Sequence, residues 1–212
     1  MIISSLILFG CQEQASSSAS EDKVSPKAET GVIVAFGDSL TEGYGLMPEQ
    51  AYPALLEQRL MEKGYQYKVV NAGVSGETSS GALSRVDWIL RLNPDIVVLE
   101  TGANDGLMGI NPAVLEQNLG QIIATFQQNG VIVILAGMKM LLNLGPAYTQ
   151  DFEAVYARVA KQYQVRLIPF FLEGVAARRE MNLADGIHPN AKGYEVITEL
   201  VLPYVVDAIR KL

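Results

Sequence analysis

VIVAFGDSL, residues 32–40, sets five aliphatic or aromatic residues directly before Gly, Asp and Ser. An apolar run of that length suits a strand covered on both faces, and the small polar residues behind it suit a turn into a helix. Four more short runs rich in aliphatic residues follow, at 68–70, 96–100, 131–135 and 166–169. Segments with helical spacing separate them. Tyr52, Leu55, Leu56, Leu60 and Met61 mark the first, and Leu83, Val86, Ile89 and Leu90 the second. Val114, Leu115, Leu119, Ile122, Ile123 and Phe126 mark the third, and Phe152, Val155, Tyr156, Val159 and Tyr163 the fourth. The last holds Tyr194, Ile197, Val201, Tyr204, Ala208 and Ile209, with a kink expected at Pro203. Strands alternating with helices predict an α/β domain, a parallel sheet with helices on both faces.

In such sheets chemistry sits outside the carboxyl ends of the strands. The polar, Gly-containing stretches fall there: residues 37–40, 71–76 and 101–106 after the first three strands, and 185–188 before the last helix. Ser39 is placed at a strand-to-helix junction. A serine hydroxyl attacks only when a base takes its proton. The chain holds one His, so that base is His188. Asp185, three residues earlier, is spaced to accept the Nδ1 proton and hold the tautomer. Pro189 biases His188 toward extended backbone and suits the first position of the last helix. Three donors are candidates for a developing oxyanion: the N–H of Ser39, the N–H of Gly76 and the side-chain amide of Asn104. Asp38 is expected to hydrogen-bond around the nucleophile turn, and Asp105 and Glu77 to fix loops or to select mildly against anionic groups.

Composition narrows the alternatives. The 212 residues carry 16 Lys+Arg against 23 Asp+Glu, a net charge of -7, without the basic cluster a nucleic-acid binder needs. One Cys and one His exclude an intramolecular disulfide and leave no ordinary zinc-ligand set, so neither metal nor cofactor is expected. There is no G-x-S-x-G elbow, P-loop or dinucleotide fingerprint. Residues 1–11 read as an export signal: an apolar run too short to span a bilayer, closing on Leu8-Phe9-Gly10-Cys11, which resembles a bacterial lipobox with Cys11 as the lipidated residue, the alternative being an ordinary secretory signal with an incidental Cys. Residues 12–30, polar and Ser-rich, read as a flexible tether, and 31–212 as the folded domain. An exported periplasmic or outer-membrane lipoprotein is expected, with membrane contact through that anchor and a monomeric domain.

The four blocks resemble those of the SGNH (GDSL) hydrolases in order and spacing. They are Gly37-Asp38-Ser39-Leu40, Gly76, Gly102-Ala103-Asn104-Asp105 and Asp185-Gly186-Ile187-His188. Stretches such as FGDSLTEGYGL, VVNAGVSGETS and DGIHPNAKGY look most like the bacterial group of thioesterase I/lysophospholipase L1 and related arylesterases. The resemblance implies a flavodoxin-like three-layer α/β/α sandwich with sheet order 2-1-3-4-5. It also implies metal-free hydrolysis of acyl esters or thioesters through an acyl-Ser39 intermediate. The loop at 137–148 is unusually apolar. Met138, Met140 and Leu141, with Leu107 and Met108, are expected to wall a substrate groove. Two alternatives remain at this level: a carbohydrate O-acetyl esterase of the same superfamily, and a non-catalytic flavodoxin-like binding domain.

Overall fold

The computed structural model describes Met1 and residues 31–140 and 144–212. The expected export signal, Cys11, the tether and Leu141 lie outside the described residues. Five parallel strands form one sheet in the order β2-β1-β3-β4-β5, as the resemblance implied. They are β1 Gly31–Gly37, β2 Tyr67–Gly73, β3 Ile96–Glu100, β4 Ile132–Ala136 and β5 Arg166–Ile168. The central strands explain their own burial. Ile33 to Phe36, Ile96 to Leu99 and Ile134 to Ala136 are without exposed surface, because helices cover both faces.

Helix α2 (Tyr52–Glu62) packs against α8 (Ala191–Ile209) on one side of the sheet. On the other, α6 (Pro112–Gln128) packs against α3 (Ser79–Ser84), α4 (Val86–Leu90) and α7 (Pro146–Tyr163). Two single-turn helices, α1 (Ser39–Glu42) and α5 (Ala103–Leu107), follow β1 and β3 directly. Strand order reverses between β1 and β3, so their carboxyl ends flank the crevice where such sheets bind ligands.

Several boundaries differ from the sequence reading. Strand β2 extends through Asn71, Ala72 and Gly73, which the sequence pattern places in the loop; parallel pairing of Ala35 with Asn71 through Gly37 with Gly73 carries it on. The second helical segment is two short helices, with Arg85 as the joint. Pro189 is not the first residue of α8. Asn190 is the N-cap, its side-chain oxygen accepting from the N–H groups of Lys192 and Gly193, and Pro189 forms a bridge with Asn182. Helix α8 continues through Pro203.

Candidate active site

Ser39 is the first residue of α1. Asp38, fully buried, caps that turn by accepting from the Leu40 N–H at 3.0 Å. The Ser39 hydroxyl lies 3.0 Å from His188 Nε2. The other ring nitrogen, Nδ1, lies 2.8 Å from Asp185 Oδ2. Asp185 Oδ1 accepts from the backbone N–H groups of Ile187 and His188, both at 3.0 Å. One carboxylate therefore shapes the turn and orients the ring. Those bonds, the His188 N–H first, hold the Asp185 carboxyl down at about 2. A charge at Asp185 fixes the proton on Nδ1 and leaves the Nε2 lone pair toward Ser39.

The three expected oxyanion donors meet at the same place: Ser39, Gly76 and Asn104 all line one groove with His188. Gly76 has φ +77°, a conformation that L side chains rarely adopt. The Asn104 amide donates to the Glu77 carbonyl at 2.9 Å and to Asp38 Oδ2 at 3.3 Å. Glu77 is fixed in turn by Arg85, whose guanidinium donates to both of its carboxylate oxygens at 2.6 and 2.7 Å, to the Ala72 carbonyl at 3.0 Å, and lies over the Phe36 ring. Asp105 accepts from Ser79 through both backbone N–H and hydroxyl, tying α5 to α3. Asp38, Asp105 and Glu77 thus occupy the loop-fixing positions read from the sequence.

Beneath the Ser39 turn lies a second acid. Glu100, at the end of β3, is fully buried. Its Oε2 accepts from the Thr41 hydroxyl at 2.9 Å and from the Asp38 N–H at 3.4 Å. Gly37 leaves the space: a Cβ there would strike Thr41 Oγ1 and Glu100. Burial, with Asp38 close by, raises the Glu100 carboxyl well above the usual carboxylate range; burial also pushes Asp38 up to about 6.

The groove has a volume of about 610 Å³. Met138, Met140 and Leu107 wall it, as expected, with Leu144 and Phe170 beside them. Met108 does not; the end of α5 turns it out to solvent at 65% exposure. Sequence reasoning missed Tyr44, which lines the groove with its ring 4.5 Å from the His188 ring, and the 170–182 segment that supplies Phe170, Leu172 and Asn182. Aromatic and aliphatic residues just past a strand end were the available signal for that wall. Arg85 carried none, being one of several surface-type charges in a helical segment.

Comparison with known proteins gives a consistent picture. The model of the GDSL-like lipase/acylhydrolase family matches residues 35–196. The esterase TesA of Pseudomonas aeruginosa is 42% identical over 178 residues, 84% of this chain and 89% of the relative. An arylesterase of Vibrio mimicus is 36% identical over 203 residues, 95% and 96% of the two chains. The crystal structure of TesA superposes with a TM-score of 0.80 at 42% identity, covering 84% of this chain and 99% of that one.

Proposed function

The chain belongs to the GDSL-like lipase/acylhydrolase family and is a serine ester hydrolase, and from that premise we propose that its chemistry runs through Ser39, His188 and Asp185. The observation that carries this is the unbroken line of contacts at 3.0 and 2.8 Å from hydroxyl to ring to carboxylate, at the wall of an apolar groove.

His188 Nε2 takes the Ser39 proton as the hydroxyl oxygen bonds to the acyl carbon. The carbonyl pair moves onto oxygen, which meets the N–H groups of Ser39 and Gly76 and the Asn104 amide. Glu77 pins one Asn104 hydrogen, while the longer 3.3 Å contact to Asp38 yields the other to the oxyanion. Collapse of the tetrahedral adduct breaks the bond to the leaving oxygen or sulfur, and His188 hands over its proton. Water, deprotonated by the same nitrogen, then releases the acid from Ser39.

The groove's methionines and leucines suit an acyl chain or aryl ring in preference to a sugar. Residues 1–11 and 12–30 carry the composition of an export signal and tether, with Cys11 as the anchor.

A fluorophosphonate probe tests the nucleophile: it should label the wild type at Ser39 and leave Ser39→Ala unlabelled. p-Nitrophenyl esters of increasing chain length test the groove. A preference for acetyl over octanoyl would return the substrate to the carbohydrate O-acetyl class. Metabolic labelling with palmitate, lost in Cys11→Ala, tests the anchor.

A further inference from the structure

The turn that presents Ser39 also presents an aromatic ring. Gly43 closes α1 at φ +88°, a left-handed conformation, and the N–H groups of Gly43 and Tyr44 both donate to the Ser39 carbonyl at 3.1 Å. Tyr44 lines the groove with its ring centroid 4.5 Å from that of His188, the two planes tilted by 35°. The two loops also meet at the next residue. A Cβ on Gly45 would strike Leu183 Cδ1, and the Leu183 N–H donates to the His188 carbonyl at 2.7 Å. The ring contact thus lies on a seam fixed from both sides. The His188 side chain is 16% exposed and Tyr44 49%, so Tyr44 shields the imidazole while half of itself remains in solvent.

We propose that Tyr44 is a positioning residue for the base: its ring holds the His188 imidazole toward Ser39 and stabilises the imidazolium that forms there. Two facts lead to this. The contacts to Asp185 and Ser39 grip the imidazole at Nδ1 and Nε2, both at its edge. Edge contacts leave the ring free to rock about the line joining them, and a ring packed against its face removes that freedom. The second fact is electrostatic. His188 becomes positive only when Nε2 has taken the Ser39 proton, and it is neutral again once the leaving atom has carried that proton off. A cation mostly screened from water needs compensation. Asp185 supplies it at Nδ1, and the π face of Tyr44, well within cation–π range, supplies it from the side. The neutral imidazole gains little from the same quadrupole. The contact therefore strengthens as the reaction proceeds, which places its effect in kcat rather than in KM.

The role of Tyr44 rests on the hydrolase reading above, and its test separates the two. Wild type, Tyr44→Leu and Tyr44→Phe are compared on ethyl butyrate and p-nitrophenyl butyrate. Ethanol has no ring to stack on Tyr44, so a loss on the ethyl ester reports the base and not a substrate contact. Tyr44→Leu should lose about three- to tenfold in kcat on the ethyl ester with KM little changed. Tyr44→Phe, which keeps the ring, should recover most of that loss. A series of phenylalanines carrying one, two and three ring fluorines at position 44 varies the quadrupole at nearly constant shape, and kcat should fall stepwise along it. His188 is the only His, so its imidazole protons are a direct NMR probe of the contact. They should move downfield in Tyr44→Leu, where the ring current is gone, and stay in place in Tyr44→Phe. No turnover by the wild type removes the hydrolase reading and this role with it. With the wild type active, an unchanged kcat in Tyr44→Leu, a loss confined to KM, or a flat fluorine series overturns the role of Tyr44 alone.

Discussion

The Glu100 carboxyl accepts the Thr41 hydroxyl at 2.9 Å, two residues past Ser39 and wholly out of solvent. The end of β3 thereby clamps the turn that presents Ser39. An ionised carboxylate is costly in such a place, and with Asp38 alongside it more so, which is why Glu100 is pushed toward its neutral form.

That position makes stability depend on pH. An acid whose folded value is raised takes up a proton on folding, so its contribution is harmless below the unfolded value and turns unfavourable as pH rises toward the folded one. Asp38, raised to about 6, adds a dependence of the same sign up to that value, so above it the pH dependence reports chiefly Glu100. Glu100→Gln keeps an acceptor for Thr41 and has no proton to lose. Urea titrations should show the variant gaining on the wild type as pH rises, by up to about 1.4 kcal/mol per pH unit for as long as Glu100 stays protonated in the fold. A constant difference between the two would mean that Glu100 folds ionised. Glu100→Ala, which removes the clamp, should lower both stability and kcat.

Removing the hydroxyl or the ring is more severe. Ser39→Ala and His188→Ala should each lower kcat by about 10⁴-fold or more, and the double variant by little further, since the two act as one unit. Steady-state hydrolysis of an activated ester measures this. Multiplicative losses in the double variant would show independent roles.

Asp185 separates turn-building from charge. The Asp185→Asn variant would keep an oxygen for the N–H groups of Ile187 and His188 but carry no charge for Nδ1. The expected result is a folded protein with kcat lower by about 10²- to 10⁴-fold. In the wild type the depressed carboxyl contributes stability at all pH above the unfolded value near 4, and loses it as pH falls through about 2. The stability gap between wild type and variant should thus be flat from pH 5 upward and close toward pH 2. A gap that widened on acidification would contradict the charge-based account.

Ser39, His188 and Asp185 were legible in the sequence because chemistry leaves few substitutes: a lone imidazole, a serine at a strand end, and a carboxylate three residues from the ring. The strands were legible because burial on both faces writes a continuous apolar run. What supports the site was not. Glu100 ends such a run as an ordinary polar stop, and only the register placing it beside Gly37 reveals its burial. Tyr44 reaches His188 from the far end of the folded domain's sequence, a contact that no local pattern encodes. Pro189 looked like a helix start because proline suits that position, but the Asn190 side chain caps two N–H groups and so sets the boundary later.

Asn104 tests the oxyanion assignment. Asn104→Ala removes an amide already aimed by the Glu77 carbonyl, and should cost about 2.7–4 kcal/mol in transition-state stabilisation with KM little changed. Arg85→Ala, which frees Glu77 without touching substrate, should reproduce part of that loss. A normal kcat in Asn104→Ala would leave the two backbone N–H groups as the whole oxyanion site.

The groove itself answers to a single methyl group. Gly106 lies in α5, and a Cβ there would run into the Met140 thioether rather than into backbone. Its φ is not in the left-handed region, so Gly106→Ala is tolerated by the helix and gains helix propensity. The cost falls on Met140, a flexible side chain that must move within the acyl wall. Because one buried methylene is worth about 0.8 kcal/mol, displacing that wall should change the preference for octanoyl over acetyl esters by several-fold, with thermal stability unchanged or higher. An unaltered chain-length profile in a variant of undiminished stability would show that the acyl chain lies elsewhere, along Leu144 and Phe170.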